Sequence, residues 1–503
     1  MNKILPAVLL ILLSSQRASA MTIDAFLDTH IAPISDAVAR FIFYPVNFFG
    51  ASVPLVIFWI LIAGIFFTLY FKGIAVWGFK HAIDNVISSD EHPHKGKGAG
   101  EVSSFAALAT ALSGTIGIGS IAGVAISISI GGPGAAFWIF AGAILGMSIK
   151  FVESSLSVKY RRFNLDGSVS GGPMHYMAHG LTRKKMRRLG EVLAAIFAFL
   201  CIGGAITGGN MIQINQSTQQ IINITGGVNS FLYGYGWTFG LFIAILVGLI
   251  VIGGIKSIAN VTTKLVPTMC FMYIAACLIV ICHYYTEIPH ALMDILVQAF
   301  HPHAVAGGFF GTLIIGLRRS VQSNEAGTGA AAIVYAAAKT HEHISQGFVS
   351  LLETFLTGVL CLLTSFAIVF SGMHLNYTSS ISGIELTSSA FESVISWFPY
   401  ILSVIVILFA LSTLISWAYY GQKAWNYIVG EGKKRNIFFQ FMYCAFIIVG
   451  SVMNLKSVID ITDAMMIAMS IPNIIVLYIL APDIKKDLDI YCKKHGLFCK
   501  KEK

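Results

Sequence analysis

This sequence contains unusually little charge. Asp, Glu, Lys and Arg make up 11% of its 503 residues, whereas soluble domains carry roughly 25%. Hydrophobic residues make up 56%, and runs of about twenty apolar residues recur, which is long enough to cross the ~30 Å hydrocarbon layer of a bilayer. The short alternating segments of an outer-membrane barrel are missing. The composition therefore predicts an all-α polytopic membrane protein.

Catalytic motifs are also missing. We find no P-loop, no H-E-x-x-H motif and no Ser/His/Asp arrangement in the sequence. Six of the eight cysteines lie in or beside apolar segments, where cysteine usually packs as a small hydrophobic residue. The histidines of HPH at 92–94 and HEH at 341–343 are more typical of solvated loops than of a metal site. We therefore expect neither an enzyme nor a resident cofactor.

The N-terminus has the layout of a bacterial secretory signal. MNKILPAVLLILLSSQRASA combines one lysine, a short apolar run and an A-x-A site, so we predict a signal peptide at 1–20 and a periplasmic segment at 21–50. A membrane domain at 51–481 and a basic cytoplasmic tail at 482–503 follow. We expect eleven crossings, near 51–71, 104–130, 134–157, 190–209, 231–254, 262–283, 304–339, 346–371, 397–420, 436–454 and 459–481.

The basic residues predict the orientation of these crossings. The connecting segments 210–236, 283–303 and 371–396 contain no Lys or Arg, whereas KYRR, RKKMRR and GKKR lie in connections on the other side. Because basic loops remain in the cytoplasm, we predict a multi-pass inner-membrane protein with a periplasmic N-terminus and a cytoplasmic C-terminus. The net charge of +9 then reflects topology and does not indicate nucleic-acid binding.

One crossing is interrupted by glycine. GTIGIGSIAG at 114–123 contains four glycines, each of which costs about 1 kcal/mol in a helix relative to alanine. A dinucleotide fingerprint is excluded by the spacing. Close helix packing and a helix break whose backbone faces a polar cavity both remain open. A second interrupted run, RRSVQSNEAGTG at 318–329, favours the break.

The two interruptions stand in corresponding positions. If the first crossing is peripheral, the other ten divide into two sets of five, and the broken segments 104–130 and 304–339 each open a set. An odd number of helices inverts the second set relative to the first. This is the arrangement of inverted-repeat transporters, in which paired discontinuous helices form the substrate site at the midplane.

Polar residues inside the crossings are candidates for function. STLISW at 412–417 places Ser412 and Thr413 one turn before Trp417, and their hydroxyls suit a Na⁺ ion, although such hydroxyls also bond back to their own helix. Arg319 and Glu325 are costly in a bilayer, so we expect either a gate or a structural ion pair. Lys150 and Glu153 are predicted to form a local (i, i+3) pair, with the lysine chain extending to the interface.

Several segments resemble the alanine/glycine:cation symporter family. These are GTIGIGSIAGVAISISIGGPGAAFWIFAGAILGMSIKFVESSLSVKYR, SGGPMHYM, GGNMIQ, RRSVQSNEAGTGAAA and STLISWAYYG, in the family's order. The resemblance implies a fold like that of the sodium-coupled amino acid transporters. It also implies substrate-binding roles for Thr115, Gly117, Gly119, Ser120, Gln213 and Trp417, and cation-binding roles for Ser412 and Thr413. This chain departs from the family pattern at Ile118, where the family has threonine, and at Ser120, where it has asparagine. It also departs at Gln322, Gln422 and Ala106.

The function implied is symport of a small neutral amino acid, such as alanine or glycine, into the cell. Na⁺, or H⁺, would be the coupling ion, and the lipid bilayer the only other partner. The alternatives are a cation-coupled carrier for another small neutral solute and, from a different class, an ion channel. A channel is disfavoured because the sequence shows no repeated filter or ring of charge.

Overall fold

The computed structural model describes residue 33 and residues 37–48, 51–91, 100–164, 167–300, 308–375 and 383–497. The predicted signal peptide and the last six residues of the predicted tail lie outside these ranges.

Helices account for most of the described residues. In chain order they are α1 (Leu55–Tyr70), α2 (Ile74–Trp77), α3 (Phe79–Glu91), α4 (Ser104–Thr115), α5 (Ala122–Gly131), α6 (Ala135–Lys159), α7 (Pro173–Arg183), α8 (Arg187–Ile206), α9 (Ile212–Ile224), α10 (Gly236–Val251), α11 (Gly254–His283), α12 (Ile288–Phe300), α13 (Gly308–Asn324), α14 (Ala332–Tyr335), α15 (His343–Phe370), α16 (Ile384–Glu392), α17 (Phe398–Val429), α18 (Lys433–Gly450) and α19 (Leu455–His495). Two small antiparallel hairpins pair β1 (Pro45–Phe48) with β2 (Ala51–Pro54), and β3 (Arg162–Phe163) with β4 (Val169–Ser170).

The predicted helical membrane fold is confirmed. Among the described residues, six helices are long and apolar enough to cross a bilayer, or seven if the two halves of one bent pair are taken as a single span. Two shorter apolar helices, α1 and α10, accompany them. Each of the eleven predicted crossings overlaps at least one of the helices named above. The most extensive packing is between α6 and α15, which bury much of their length against each other.

The first predicted helix break is confirmed. α4 ends at Thr115, a short 3₁₀ turn covers Ile118–Ser120, and the chain resumes as α5 with its axis bent by 61°. The Ser103 hydroxyl accepts a hydrogen bond from the Ala106 N–H at the start of α4, as a helix N-cap should. Glycine-rich sequence at the break therefore ends one helix and allows the next to begin in a new direction.

The second break differs from the one predicted. α13 ends at Asn324, but a second long half-helix does not follow. Glu325, Gly327 and Gly329 have positive φ angles of 56°, 89° and 77°, so the chain turns repeatedly before the four-residue α14. Positive φ is incompatible with a right-handed helix, which explains why the apolar residues after the break stay irregular.

Arg161 and Ser157 bind several carbonyls of this irregular backbone. The Arg161 guanidinium donates to the carbonyls of Ala336, Ala338 and Thr340 at 2.9, 2.6 and 2.7 Å. Ser157 Oγ donates to the Ala332 carbonyl at 2.5 Å. Backbone that is not helical needs such internal partners in a membrane protein, because lipid offers none.

Two helices extend beyond their predicted limits. The fourth crossing continues through a π-helical turn at Thr207–Met211 into α9. α19 continues across the predicted domain boundary at 481 as far as His495, so most of the predicted tail is an extension of the last helix. Ion pairs hold this extension, with Asp483 bound by Lys184 at 2.8 Å and Asp487 bound by Lys159 at 2.5 Å. His343, predicted as a solvated loop histidine, also contacts Asp487, at 2.8 Å.

Candidate functional site

A small cavity lies where the first helix break meets four other elements. The space in it that the centre of a water molecule can reach is about 10 Å³, roughly what one buried water needs. It is enclosed by the break between α4 and α5, the π turn, the end of α13, α17 and α19. The lining residues are Gly114, Thr115, Gly117, Gly119, Gly208, Ile212, Gln213, Gln322, Glu325, Trp417 and Met466.

Most of the predicted substrate residues face this cavity. Thr115, Gly117, Gly119, Gln213 and Trp417 all line it. Ser120 is not among the lining residues. It is fully buried, its hydroxyl lies beside the Cys361 thiol, and its carbonyl accepts a hydrogen bond from Thr364 Oγ1 at 2.9 Å. The structure therefore places Ser120 behind the wall of the cavity.

Gln213 connects the helix break to the π turn. Its Oε1 accepts from the Ile118 N–H at 2.9 Å, and its Nε2 donates to the Gly208 carbonyl at 2.9 Å. Both ends of the side-chain amide therefore bind backbone groups of these two irregular segments. π turns are frequent at functional sites, and here the turn contributes Gly208 to the cavity wall.

The predicted cation residues lie between α4 and α17, next to the cavity. Thr413 Oγ1 donates to the Ser113 carbonyl at 3.0 Å, across the helix interface. Ser412 Oγ donates to its own helix at the Phe409 carbonyl at 2.8 Å, which is the back-bonded alternative. The Ser113 hydroxyl donates to the Ser412 carbonyl at 2.6 Å. Hydroxyl and carbonyl oxygens are thus concentrated beside the broken helix.

The predicted pairing of Arg319 with Glu325 is wrong. Arg319 Nη2 lies 3.0 Å from Asp463 Oδ2, and Arg318 Nε lies 2.6 Å from the same oxygen. Arg319 also donates to the Gln322 side chain. At 100° per residue, positions six apart on a helix face in different directions, and Glu325 lies beyond the helix end. Glu325 instead accepts a hydrogen bond from Trp417 Nε1 at 3.0 Å.

The predicted pairing of Lys150 with Glu153 is also wrong. Lys150 Nζ lies 3.0 Å from Glu353 Oε1 on α15, and both side chains are fully buried, so the lysine does not extend to the interface. The second oxygen of Glu353 accepts from the Tyr335 hydroxyl at 2.9 Å. Glu153 accepts from Asn473 Nδ2 at 2.7 Å.

Comparison with known proteins decides the family. The sequence profile of the sodium:alanine symporter family matches residues 36–502. The chain belongs to this family. It is 35% identical over 431 residues to the sodium/alanine symporter AgcS of Methanococcus maripaludis, covering 85% of this chain and 92% of that protein.

Other relatives extend the comparison. An uncharacterized transporter of Haemophilus influenzae is 34% identical over 423 residues, covering 82% of this chain and 88% of that one. The "Probable sodium/glutamine symporter GlnT" of Bacillus subtilis is 31% identical over 443 residues, covering 88% of each chain. The expected family is confirmed, and this member of the sodium:alanine symporter family is a transporter and not an enzyme.

Sequence patterns do not single out every cavity residue of this family member. Gly208 and Ile212 lie in GGNMIQ, one of the segments that carry the family resemblance. The sequence therefore indicates this part of the cavity. Met466 carries no signal, because it is one apolar residue in an apolar helix. Glu353 is the single acid of its predicted crossing, and Asp463 shares its crossing with Asp460. The cost of such charges in lipid indicates that they are paired but does not identify the partner.

Proposed function

We propose that the protein is a secondary active transporter that couples the inward movement of Na⁺ to the uptake of a small neutral amino acid such as alanine or glycine. The observation that carries the proposal is the lining of the cavity, which is enclosed between broken backbone segments and contains a carboxylate, two side-chain amides and an indole. The relatives named for alanine and glutamine support an amino acid substrate.

The size of the cavity favours a small side chain. Trp417, Ile212 and Met466 form part of its wall, and Trp417 is packed so closely that a Cβ on Gly209 would lie 2.1 Å from its ring. With about 10 Å³ open to the centre of a water molecule, the cavity has no room for a large side chain unless its walls move apart. The partial positive charge at the start of α5 suits a substrate carboxylate.

The coupling ion fits the oxygens between α4 and α17. Na⁺ is a hard cation that binds oxygen ligands, as Ca²⁺ and Mg²⁺ do. Ser113, Ser412 and Thr413 supply hydroxyl and carbonyl oxygens there. In this proposal the ion replaces the hydrogen bond from Thr413 to Ser113. H⁺ as the coupling ion is the alternative.

The helices support an inner-membrane topology of eleven crossings with an inverted repeat of five and five. The two breaks, after Thr115 and after Asn324, fall at the first member of each set. Both breaks reach the same cavity, through Thr115 and Glu325, which is the geometry of paired discontinuous helices around a central site. The N-terminus is then periplasmic and the C-terminus cytoplasmic.

Uptake into proteoliposomes tests the proposal. Labelled alanine should accumulate only with an inward Na⁺ gradient. Unlabelled amino acids should compete more strongly the smaller their side chains are. Thr413→Ala should raise the Na⁺ concentration for half-maximal uptake by about tenfold, which is 1.4 kcal/mol. Ser365→Ala is the matched control, because the Ser365 hydroxyl is buried and, among the described residues, donates only to the Cys361 carbonyl of its own helix. Current without amino acid would point instead to a channel.

A further inference from the structure

Glu325 is a buried carboxylate with one oxygen left over. Only 1% of its surface is exposed, and it lines the cavity. Trp417 Nε1 donates to Oε1 at 3.0 Å. Among the described residues no group donates a hydrogen bond to Oε2. A buried acceptor without a partner is costly, so the free oxygen indicates a ligand that the protein itself does not supply.

The backbone holds Glu325 at a position that suits a carboxylate poorly. Its φ of +56° is left-handed, and its N–H bonds to the Val321 carbonyl at 2.8 Å, so it occupies the helix-ending site where glycine is preferred. The end of α13 also carries partial negative charge, which disfavours a carboxylate. Strain of this kind at a buried site is typical of functional positions.

The neighbouring charges do not compensate Glu325. The charged side chains that act most strongly on it are Lys150, Glu353 and Glu153. Lys150 is already bound to Glu353 at 3.0 Å. One lysine therefore faces three carboxyl groups in a part of the protein that excludes water. Two of these carboxyl groups, Glu325 and Glu153, have an oxygen that accepts no hydrogen bond among the described residues.

Only one of these two faces the cavity. Glu153 is bound by Asn473 and does not line it. The arginines nearest along the chain, Arg318 and Arg319, are bound to Asp463. A positive charge can therefore reach an unpaired carboxylate oxygen most directly at Glu325, through the cavity.

We propose that Glu325 binds a monovalent cationic group in the cavity, with Trp417 fixing one carboxylate oxygen and the ligand occupying the other. This inference rests on the proposed function, which supplies two cationic groups of the same chemistry: the ammonium group of the amino acid and the coupling Na⁺. An ammonium group forms a charge-assisted hydrogen bond with the carboxylate, about twice as strong as a neutral one, whereas Na⁺ is coordinated by the carboxylate oxygen.

Two substitutions separate the charge of Glu325 from its shape. Glu325→Gln keeps the size and can still accept the Trp417 N–H, but it removes the negative charge. Glu325→Asp keeps the charge on a shorter side chain. The affinity for Na⁺ alone and the affinity for L-alanine at a fixed Na⁺ concentration are measured separately on purified protein by scintillation proximity. We expect Glu325→Gln to weaken one of the two affinities by about tenfold or more, and Glu325→Asp to weaken it less.

The pattern of loss identifies the ligand. If the ammonium group is bound, alanine affinity falls, Na⁺ affinity does not, and the preference for alanine over propionate, which lacks the amine, disappears in Glu325→Gln. If Na⁺ is bound, the affinity for Na⁺ alone falls and the preference over propionate remains. If Glu325→Gln folds and leaves both affinities unchanged, the inference is overturned.

A measurement on the wild-type protein keeps the test valid if Glu325→Gln does not fold. A hydrophobic carbodiimide modifies buried carboxyl groups, and peptide mass spectrometry locates the adduct. Na⁺ or alanine should protect Glu325 and should leave any labelling of Glu353 unchanged, because Glu353 is already bound to Lys150. Labelling of Glu325 that neither ligand alters, or no labelling of it, would overturn the inference.

The two proposals fail in different ways. Wild-type protein in proteoliposomes is assayed alongside the variants. If the wild type takes up no amino acid under a Na⁺ gradient, the proposed function is wrong, whereas ligand protection of Glu325 still supports a cation site. If the wild type takes up alanine and Glu325→Gln binds both ligands normally, only the role of Glu325 is wrong.

Discussion

Gly117 shows how closely the broken segment is fitted to its neighbours. A Cβ at this position would lie 2.7 Å from Thr413 Oγ1 and 2.9 Å from Gln213 Oε1. Its φ of −106° is available to any residue, so the requirement for glycine comes from space and not from backbone conformation. One small residue therefore allows the proposed cation site and the cavity wall to approach each other.

Gly117→Ala should lose most Na⁺-driven uptake, by about tenfold or more, because both neighbouring polar side chains must move. Gly248→Ala in α10 is the control: the nearest atom to its added Cβ is Cys444 Sγ at 3.6 Å, which is ordinary van der Waals contact, and Gly248 does not line the cavity. The measurement is initial uptake of labelled alanine at matched protein levels. Equal losses in the two variants would contradict this explanation.

At the scale of single residues, the sequence predicts where a helix break or a buried charge lies better than it predicts which residue that charge contacts. The helix break follows from local glycine content, and it was found where expected. Arg319 is predicted as a costly charge and Lys150 as half of a local pair, but their partners, Asp463 and Glu353, lie far away in the chain. A pairing rule based on spacing favours the nearest acid, and only the packing of α13 against α19 and of α6 against α15 brings the actual partner close.

At the scale of helices, the α6–α15 interface depends on a buried ion pair. Lys150 and Glu353 are both fully buried at 3.0 Å, and Tyr335 adds a hydrogen bond to the carboxylate. Removing one member of a buried pair leaves the other charge uncompensated, which costs about 3–5 kcal/mol. Replacing both members with apolar residues avoids that penalty.

Lys150→Met should therefore lower the denaturation midpoint strongly, and Lys150→Met with Glu353→Met should recover much of the loss. Lys184→Met is the control, because its pair with Asp483 is partly exposed and surface pairs contribute about 0–1 kcal/mol. Thermal denaturation in detergent measures all three. A double variant no more stable than Lys150→Met would show that the pair has another role.

The sequence predicts where the helices lie better than where they end, and the reason is physical. Long apolar runs predict where helices lie, because the bilayer sets their length. The same runs do not predict that α8 continues through a π turn or that α19 extends to His495, because those extensions are stabilised by tertiary contacts. The irregular segment after Asn324 depends on Arg161, whose partners cannot be identified from sequence alone.

At the scale of the whole molecule, the distribution of basic residues makes a testable statement about orientation. Cys282 is exposed at the end of α11, in a region predicted to face the periplasm. In a variant whose other seven cysteines are replaced, Cys282 should react with a membrane-impermeant maleimide in right-side-out vesicles and be protected in inside-out vesicles. Lys434→Cys in a variant that also lacks Cys282 should show the opposite pattern. The reverse result for both would invert the proposed topology.

α19 carries ion pairs at both ends of its length. Near its start, Asp463 binds Arg318 and Arg319. About 36 Å farther along, at 1.5 Å per residue, Asp487 binds Lys159 and His343. Pro472 lies between them, where a missing backbone hydrogen bond permits bending. If α19 tilts about this point, release of the contacts at one end presses the other end against its neighbours. Access from one side of the membrane and exclusion from the other would then be a single movement of one helix.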